Sequence, residues 1–192
     1  MKRCFDILCS FLGIIICFPL LLFIALWVGC SSKGGIFYRQ TRVGKDDKDF
    51  TLYKFRSMKI NSDKQGLLTI GGKDHRITRA GYFLRKHKLD ELPQLFNVLC
   101  GNMSFVGPRP EVRKYVSLYT NEQMKVLSVR PGITDPASIA YRNENDLLAS
   151  VKTNPEEYYI KEIMPKKLAL NLQYISKRTF FSDILIIFKT IF

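Results

Sequence analysis

The stretch with most chemistry in it is Arg85-Lys86-His87-Lys88-Leu89-Asp90-Glu91-Leu92-Pro93, where four basic or potentially basic side chains run into two adjacent carboxylates. A carboxylate among cations and beside helix N–H groups stays ionised at neutral pH, and the same cations can hold a phosphate next to it. That combination suits attack on phosphorus. The same residues admit a plainer reading, in which Asp90 caps a helix, Glu91 complements the helix dipole and the basic run is a solvated face. Downstream, Gly101-Asn102-Met103-Ser104-Phe105-Val106-Gly107-Pro108-Arg109-Pro110 forms a stiff turn presenting one guanidinium. Such a turn is shaped for bidentate phosphate contact, or else is a surface loop with a free arginine.

Other chemistries lack their residues. Gly71-Gly72-Lys73 is not a phosphate loop, because Gly66 lies one residue too far upstream and Asp74 stands where Ser or Thr should bind magnesium. His75 and His87, the only histidines, have no HExxH spacing, and no Gly-x-Ser-x-Gly is present. Cys4, Cys9, Cys17, Cys30 and Cys100 form no CxxC or Cys/His cluster, which argues against structural zinc and fits a reducing compartment.

These residues need elements to position them. Aromatic and β-branched residues over 36–43 and 50–58 flank a polar stretch and read as a β-hairpin. Residues 61–74 are a Gly-rich polar loop. Helices are expected over 78–86, over 90–99 with Gly101 as the stop, over 111–119 and over 121–129. Asn154-Pro155-Glu156-Glu157 is a strong helix start, and Leu168, Leu172 and Ile175 give the following helix a buried stripe. The tail over 179–192 sets its apolar residues mostly along one helical face, to dock on the core or lie at a lipid interface.

The chain has 192 residues, room for one domain of ordinary size. With 46% apolar and 24% charged residues it is neither disordered nor collagen-like. Thirty Lys and Arg against 17 Asp and Glu give a net charge of +13, which calls for a polyanionic partner: nucleic acid, a phosphorylated ligand or anionic lipid. No nucleic-acid-binding motif accompanies the charge.

From Ile7 to Ser32 there is no charged side chain. The run is too long for a signal-peptide core of roughly 7 to 15 residues, and as a straight helix it reaches about 39 Å, enough to cross a bilayer. Charge opposes a crossing. Lys2 and Arg3 precede the run while Lys33, Arg39 and Arg42 follow it, so the positive-inside rule draws both ends to the cytoplasm. Pro19 near the middle could divide the helix into two arms, 7–18 and 19–30, that enter one leaflet and return. On these residues alone, spanning and re-entrant readings stay equally open.

Lys88-Leu89-Asp90-Glu91-Leu92-Pro93-Gln94-Leu95-Phe96-Asn97-Val98-Leu99, followed by Gly101, Met103-Ser104 and Gly107-Pro108-Arg109-Pro110, closely resembles the core motif of the bacterial sugar transferases, the small monotopic phosphoglycosyl transferases acting on polyprenyl phosphate. Lys54-Phe55-Arg56-Ser57-Met58 and Arg130-Pro131-Gly132-Ile133-Thr134 match two further family motifs in order. The resemblance covers almost the whole chain, from Lys2-Arg3 onward.

It implies transfer of a sugar-1-phosphate from a UDP-sugar to undecaprenyl phosphate with release of UMP, initiating glycan assembly at the cytoplasmic face of the bacterial inner membrane. Asp90 is then the nucleophile, passing through a covalent aspartyl-phosphosugar, and Glu91 its catalytic partner. Magnesium held near Asp90 offsets diphosphate charge. Arg85, Arg109, Lys54 and Arg56 become phosphate contacts, and Arg130 and Arg142 candidates for donor binding. The implied fold class is α+β and helix-rich: a re-entrant membrane helix over 1–33, then a compact cytoplasmic domain over 34–192 with a small β-hairpin, amphipathic helices and an interfacial C-terminal helix. Implied partners are the UDP-sugar, undecaprenyl phosphate and anionic lipids, with a homodimer allowed and no nucleic acid.

Two departures from the family pattern stand out. Many members have Ser before the membrane proline, where this chain has Phe18, and many follow Arg-Pro-Gly-Ile-Thr with Gly, where this chain has Asp135-Pro136. The rival function classes are a membrane-tethered basic module for nucleic acid and a non-catalytic partner subunit, both separated from an enzyme by assay with UDP-sugars.

Overall fold

The structure, a computed structural model, describes residues 1–31, 33–66, 68–71 and 74–191. Ser32 at the end of the uncharged run, Gly72 and Lys73 of the rejected phosphate loop, and Phe192 of the tail lie outside the described residues.

The uncharged run forms α1, Lys2–Ser31, with Pro19 inside the helix. Pro19 has no N–H to give to Ile15, but it lies on the exposed side, and the residues before and after it share one support. Asp6, Ser10, Leu21, Ile24 and Val28 are buried, Cys17 is partly buried, and Gly13 faces Leu95. Positions 6, 10, 13, 17, 21, 24 and 28 trace a single helical stripe. Away from that stripe Ile7, Phe11, Ile15, Phe18, Leu22 and Leu26 are exposed. By length and composition α1 could cross a membrane.

Both ends of α1 are fastened to the rest of the chain. Lys2 forms an ion pair with Asp183 and donates to the Val106 carbonyl at 2.8 Å. Arg3 donates to the carbonyls of Val98 and Leu99 at 2.6 and 2.9 Å. Asp6 accepts from Ser104 Oγ at 3.1 Å and from the Phe105 N–H at 3.2 Å. Toward the other end, Leu21, Ile24 and Val28 join Phe55 and Leu84 in a core cluster.

The hairpin pairs β1, Phe37–Val43, with β2, Asp49–Phe55, in antiparallel register from Phe37↔Phe55 to Val43↔Asp49. Strand β2 stops short of its expected end at Met58, which bridges singly to Ile77. Helix α2, Arg79–Lys86, is capped by Thr78, whose side chain accepts the Gly81 N–H. A single helix over 90–99 does not form. Lys88 turns the chain at φ 58°, Leu89–Glu91 is one 3-10 turn, and α3, Gln94–Cys100, begins only after Pro93 and stops at Gly101, φ 90°. Pro93 lacks the N–H that would continue the ladder back to Leu89, and this sets the boundary.

Helix α3 packs between α1 and β2. Its buried Asn97 replaces a missing strand neighbour: Oδ1 accepts the Tyr53 N–H at 3.0 Å and Nδ2 donates to the Thr51 carbonyl at 2.7 Å.

A second sheet was not expected from sequence: β3, Ser104–Val106, runs parallel to a later strand, Gly132–Thr134. Between them the helix expected over 111–119 contracts to α4, Arg113–Val116, and that over 121–129 is a 3-10 segment, Gln123–Ser128. The later strand, β4, is followed by α5, Pro136–Ala140, and α6, Glu144–Ser150. Helix α7, Pro155–Tyr158, starts as expected at Asn154, whose side chain accepts the Glu156 N–H. It passes through a π turn, Tyr159–Ile163, into α8, Met164–Lys177, just before Pro165 removes one ladder donor.

Leu168 of α8 is buried, with Leu172 and Ile175 packed against the same cluster. In helix α9, Phe180–Ile191, Asp183 and Ile186 dock on the core, while Phe181, Leu185 and Phe188 remain exposed. The fold is α+β and helix-rich, with two small sheets among the described residues.

Removing the Asn97 amide leaves a buried strand donor and acceptor unmet, a cost of about 2 kcal/mol. Asn97→Ala is therefore expected to lower the thermal midpoint by roughly 4–8 °C. A midpoint within 1 °C of wild type, read by thermal unfolding in detergent, would show that the amide is not what joins α3 to β2.

Candidate active site

Glu91 is the hub of the site. It closes the 3-10 turn ahead of α3, and its carboxylate receives cations from two distant segments. Lys54, next to the end of β2, donates to Oε1 at 2.7 Å. Arg109, from the turn after β3, reaches Oε1 with NH2 at 2.5 Å and Oε2 with NH1 at 3.5 Å. Burial alone would raise the Glu91 pKa, but the Arg109 guanidinium and the Lys54 ammonium outweigh it and hold the carboxyl well below its usual range. Glu91 in turn holds the Arg109 pKa up. Burial pulls the Lys54 pKa down, only partly resisted by Glu91 and Asp90.

Asp90, beside this cluster, is 4% exposed, and its Oδ1 has no hydrogen-bond partner among the described residues. Burial raises its pKa, with Glu91 adding to the rise and Lys54, Arg85 and Lys88 opposing it. Desolvation thus outweighs the cations that the sequence placed around it. The plain reading of this stretch is corrected: Asp90 caps no helix, since Pro93 precedes α3, and Glu91 is committed to an ion-pair network. Arg85, in the last turn of α2, donates to Thr69 Oγ1 at 2.9 Å while its charge acts on Asp90.

The structure therefore brings Asp90, Glu91, Lys54, Arg109 and Arg85 together. The contacts shown for the other sequence candidates are with other parts of the chain. The Arg56 guanidinium lies against Gly34, where a Cβ would come within 1.7 Å of it, at the junction of α1 and β1. Arg130 donates to the Gly101 carbonyl at 2.8 Å, near the amino end of α1, and Arg142 donates to the Lys189 carbonyl at 3.0 Å in the last turn of α9. Two buried carboxylates went unassigned by sequence reading. Asp6 is the only acid among residues 1–32, itself a signal that it must find partners. Asp135 accepts the backbone N–H of Arg109 at 2.7 Å.

Among the described residues no three His, Cys, Asp or Glu side chains gather into a metal cage. The site offers one carboxylate with an unbonded oxygen. That fits magnesium, which takes hard oxygen ligands, keeps several waters and commonly uses one or two carboxylates plus phosphate oxygens.

A folded-state pKa that is raised means stability present at low pH and lost as pH rises through that pKa, because the fold disfavours the ionised form. Asp90→Asn removes that penalty. It is expected to raise the thermal midpoint at pH 7.5, with the gap closing toward pH 4. A variant no more stable than wild type at either pH would remove the argument that Asp90 is held at an energetic cost.

The whole chain, residues 1–192, matches the family model described as bacterial sugar transferase. It is 39% identical, over 99% of its length, to the UDP-N-acetylgalactosamine-undecaprenyl-phosphate N-acetylgalactosaminephosphotransferase of Aeromonas hydrophila, and 39% identical, over 100% of its length, to the UDP-glucose:undecaprenyl-phosphate glucose-1-phosphate transferase of Escherichia coli K12. It spans 42% and 39% of those two proteins. It is also 35% identical, over 99% of its length and 83% of the relative, to the exopolysaccharide production protein ExoY of Rhizobium meliloti. With its full length matched and Asp90, Glu91, Lys54 and Arg109 assembled into one site, the chain belongs to the bacterial sugar transferase family.

Proposed function

We propose that this protein transfers a sugar-1-phosphate from a UDP-sugar to undecaprenyl phosphate, releasing UMP, and so begins assembly of a membrane-carried glycan. The observation that carries the proposal is Asp90 Oδ1, a buried carboxylate oxygen without a partner beside a glutamate clamped by two cations. An unmatched buried oxygen costs stability, and a reacting group is a reason to bear that cost. The Aeromonas hydrophila and Escherichia coli relatives, named as undecaprenyl-phosphate sugar-phosphate transferases, support the same reading.

In the first step a carboxylate oxygen of Asp90 bonds to the sugar-linked phosphorus. The bond from that phosphorus to the UMP oxygen breaks, and its electron pair leaves with UMP. In the second step a phosphate oxygen of the lipid attacks the same phosphorus, the bond to Asp90 breaks and the carboxylate is restored. Splitting the transfer lets a water-soluble donor and a membrane-bound acceptor use one site in turn.

Glu91, held ionised, is no proton donor; it fixes the guanidinium of Arg109 and the ammonium of Lys54, whose remaining donors face incoming phosphate. Arg85 adds positive charge that acts on Asp90. When bound, magnesium held by Asp90 and the donor's diphosphate oxygens would supply charge neutralisation.

The acceptor is a lipid, and α1 brings the site to it. One stripe of α1, from Asp6 to Val28, lies against the catalytic domain, so a spanning arrangement would have to strip half of that packing. A helix that enters and leaves on the cytoplasmic side keeps it, with the outer face of α1 in lipid, the exposed stripe of α9 at the interface and Lys2, Arg3 and Lys33 near anionic headgroups.

Incubation with the cognate UDP-sugar and magnesium but no lipid is expected to release at most about one UMP per enzyme and to add the sugar-phosphate mass to the peptide containing Asp90. EDTA should stop the release and Asp90→Asn should abolish both signals. A fully active Asp90→Asn enzyme would overturn the nucleophile assignment. Screening UDP-sugars with undecaprenyl phosphate, scored by UMP, then identifies the donor.

Topology has its own readout. Single cysteines at Met1 and Lys33, in a background without the native cysteines, should both resist an impermeant thiol reagent in intact cells and react after lysis. Labelling of the Met1 site in intact cells would show that α1 spans.

A further inference from the structure

We propose that Asp135 is a positioning residue for Arg109, acting through the backbone. The proposal rests on the role given to Arg109 above. Asp135 is fully buried and both of its oxygens are used across two elements: Oδ1 accepts the Ser138 N–H at 2.5 Å, capping α5, and Oδ2 accepts the Arg109 N–H at 2.7 Å. Arg109 stands between Pro108 and Pro110, neither of which has an N–H. Its amide is therefore the only backbone donor in the tripeptide, and Asp135 takes it.

The neighbouring contacts show why this bond matters for aim. The Pro108 carbonyl accepts the Gly132 N–H at 3.0 Å, and the Pro110 carbonyl accepts from Arg42 at 2.9 Å. These two bonds locate the flanking prolines; among the described residues Asp135 alone takes the N–H of Arg109 itself. The approach is possible because Gly132 has no side chain, a Cβ there falling 2.1 Å from the Gly107 nitrogen. From that anchored backbone the Arg109 guanidinium reaches Glu91, next to Asp90. A shift of about 1 Å in a group that positions phosphate can cost on the order of 100-fold in rate. The acid at this position, one of the two departures seen in the sequence, thus serves the reacting centre from the far side of a turn.

Asp135→Ser separates the two bonds. Serine caps helices as well as aspartate does, so the Ser138 contact can be kept, but its hydroxyl is one bond too short to reach the Arg109 amide. The expected result is a thermal midpoint near wild type, loss of deuterium-exchange protection at the Arg109 amide, and a 10- to 100-fold fall in kcat. Arg109→Gln should be at least as impaired, and the double variant Asp135→Ser/Arg109→Gln no slower than Arg109→Gln alone. Wild-type kcat in Asp135→Ser, or losses that multiply in the double variant, would reduce Asp135 to a helix cap and overturn the proposal while leaving the Arg109 role intact. Full activity in Arg109→Gln would instead overturn the role of Arg109, and the proposal with it. If Asp135→Ser folds poorly, Asp135→Asn supplies the same comparison: its one carbonyl oxygen can serve the Ser138 or the Arg109 amide but not both, and non-additivity with Arg109→Gln remains the criterion.

Discussion

A carboxylate kept out of water without a full set of partners is the constraint around which this chain is organised. Asp90 is buried, and the nearby positive charges do not fully compensate its desolvation. Such a group persists only where the surrounding structure fixes it more firmly than its own energetics would. The restraints come from three directions: the αL turn at Lys88 before it, the clamp of Lys54 and Arg109 on Glu91 after it, and α3, pinned to β2 by Asn97 and to α1 along its length. Each belongs to a different segment, so the site exists only when the whole fold does.

The parts of this arrangement that could be read in the sequence are those written as local patterns. The hairpin, α2, the stop at Gly101 and the start at Asn154 follow from turn residues, caps and alternation, and all are found close to their expected positions. What escaped are features made by contacts distant along the chain. Strands β3 and β4 have three residues each, too few to show a period, and they become strands only because Gly107 and Gly132 let two backbones touch. The break at Pro93 was in plain view, yet the apolar run behind it read as one helix.

The site divides in the same way. Asp90, Glu91, Lys54 and Arg109 were all recognisable from motifs, but nothing local says that one glutamate joins two cations 37 residues upstream and 18 downstream. Local charge even misled about Asp90, because the basic run before it suggests stabilisation whereas burial dominates. Arg130 and Arg142, which the sequence offered as candidates for donor binding, each give one N–H to the Gly101 and Lys189 carbonyls at the ends of α3 and α9. Arginine is as useful for tying off a helix end as for holding a phosphate.

The seating of α1 changes what its removal would mean. A conventional tail anchor can be cut away to leave a soluble enzyme, since it shares no interior with the domain it tethers. Here Leu21, Ile24 and Val28 supply one wall of the cluster that encloses Phe55 and Leu84, and Lys2 neutralises Asp183 in the C-terminal helix. A truncated chain beginning after α1 would bare that wall, strand a buried carboxylate and leave α3 open on one flank. The hydrophobic segment is thus part of the folding unit, and preparation of the folded chain calls for keeping it rather than for a shortened gene.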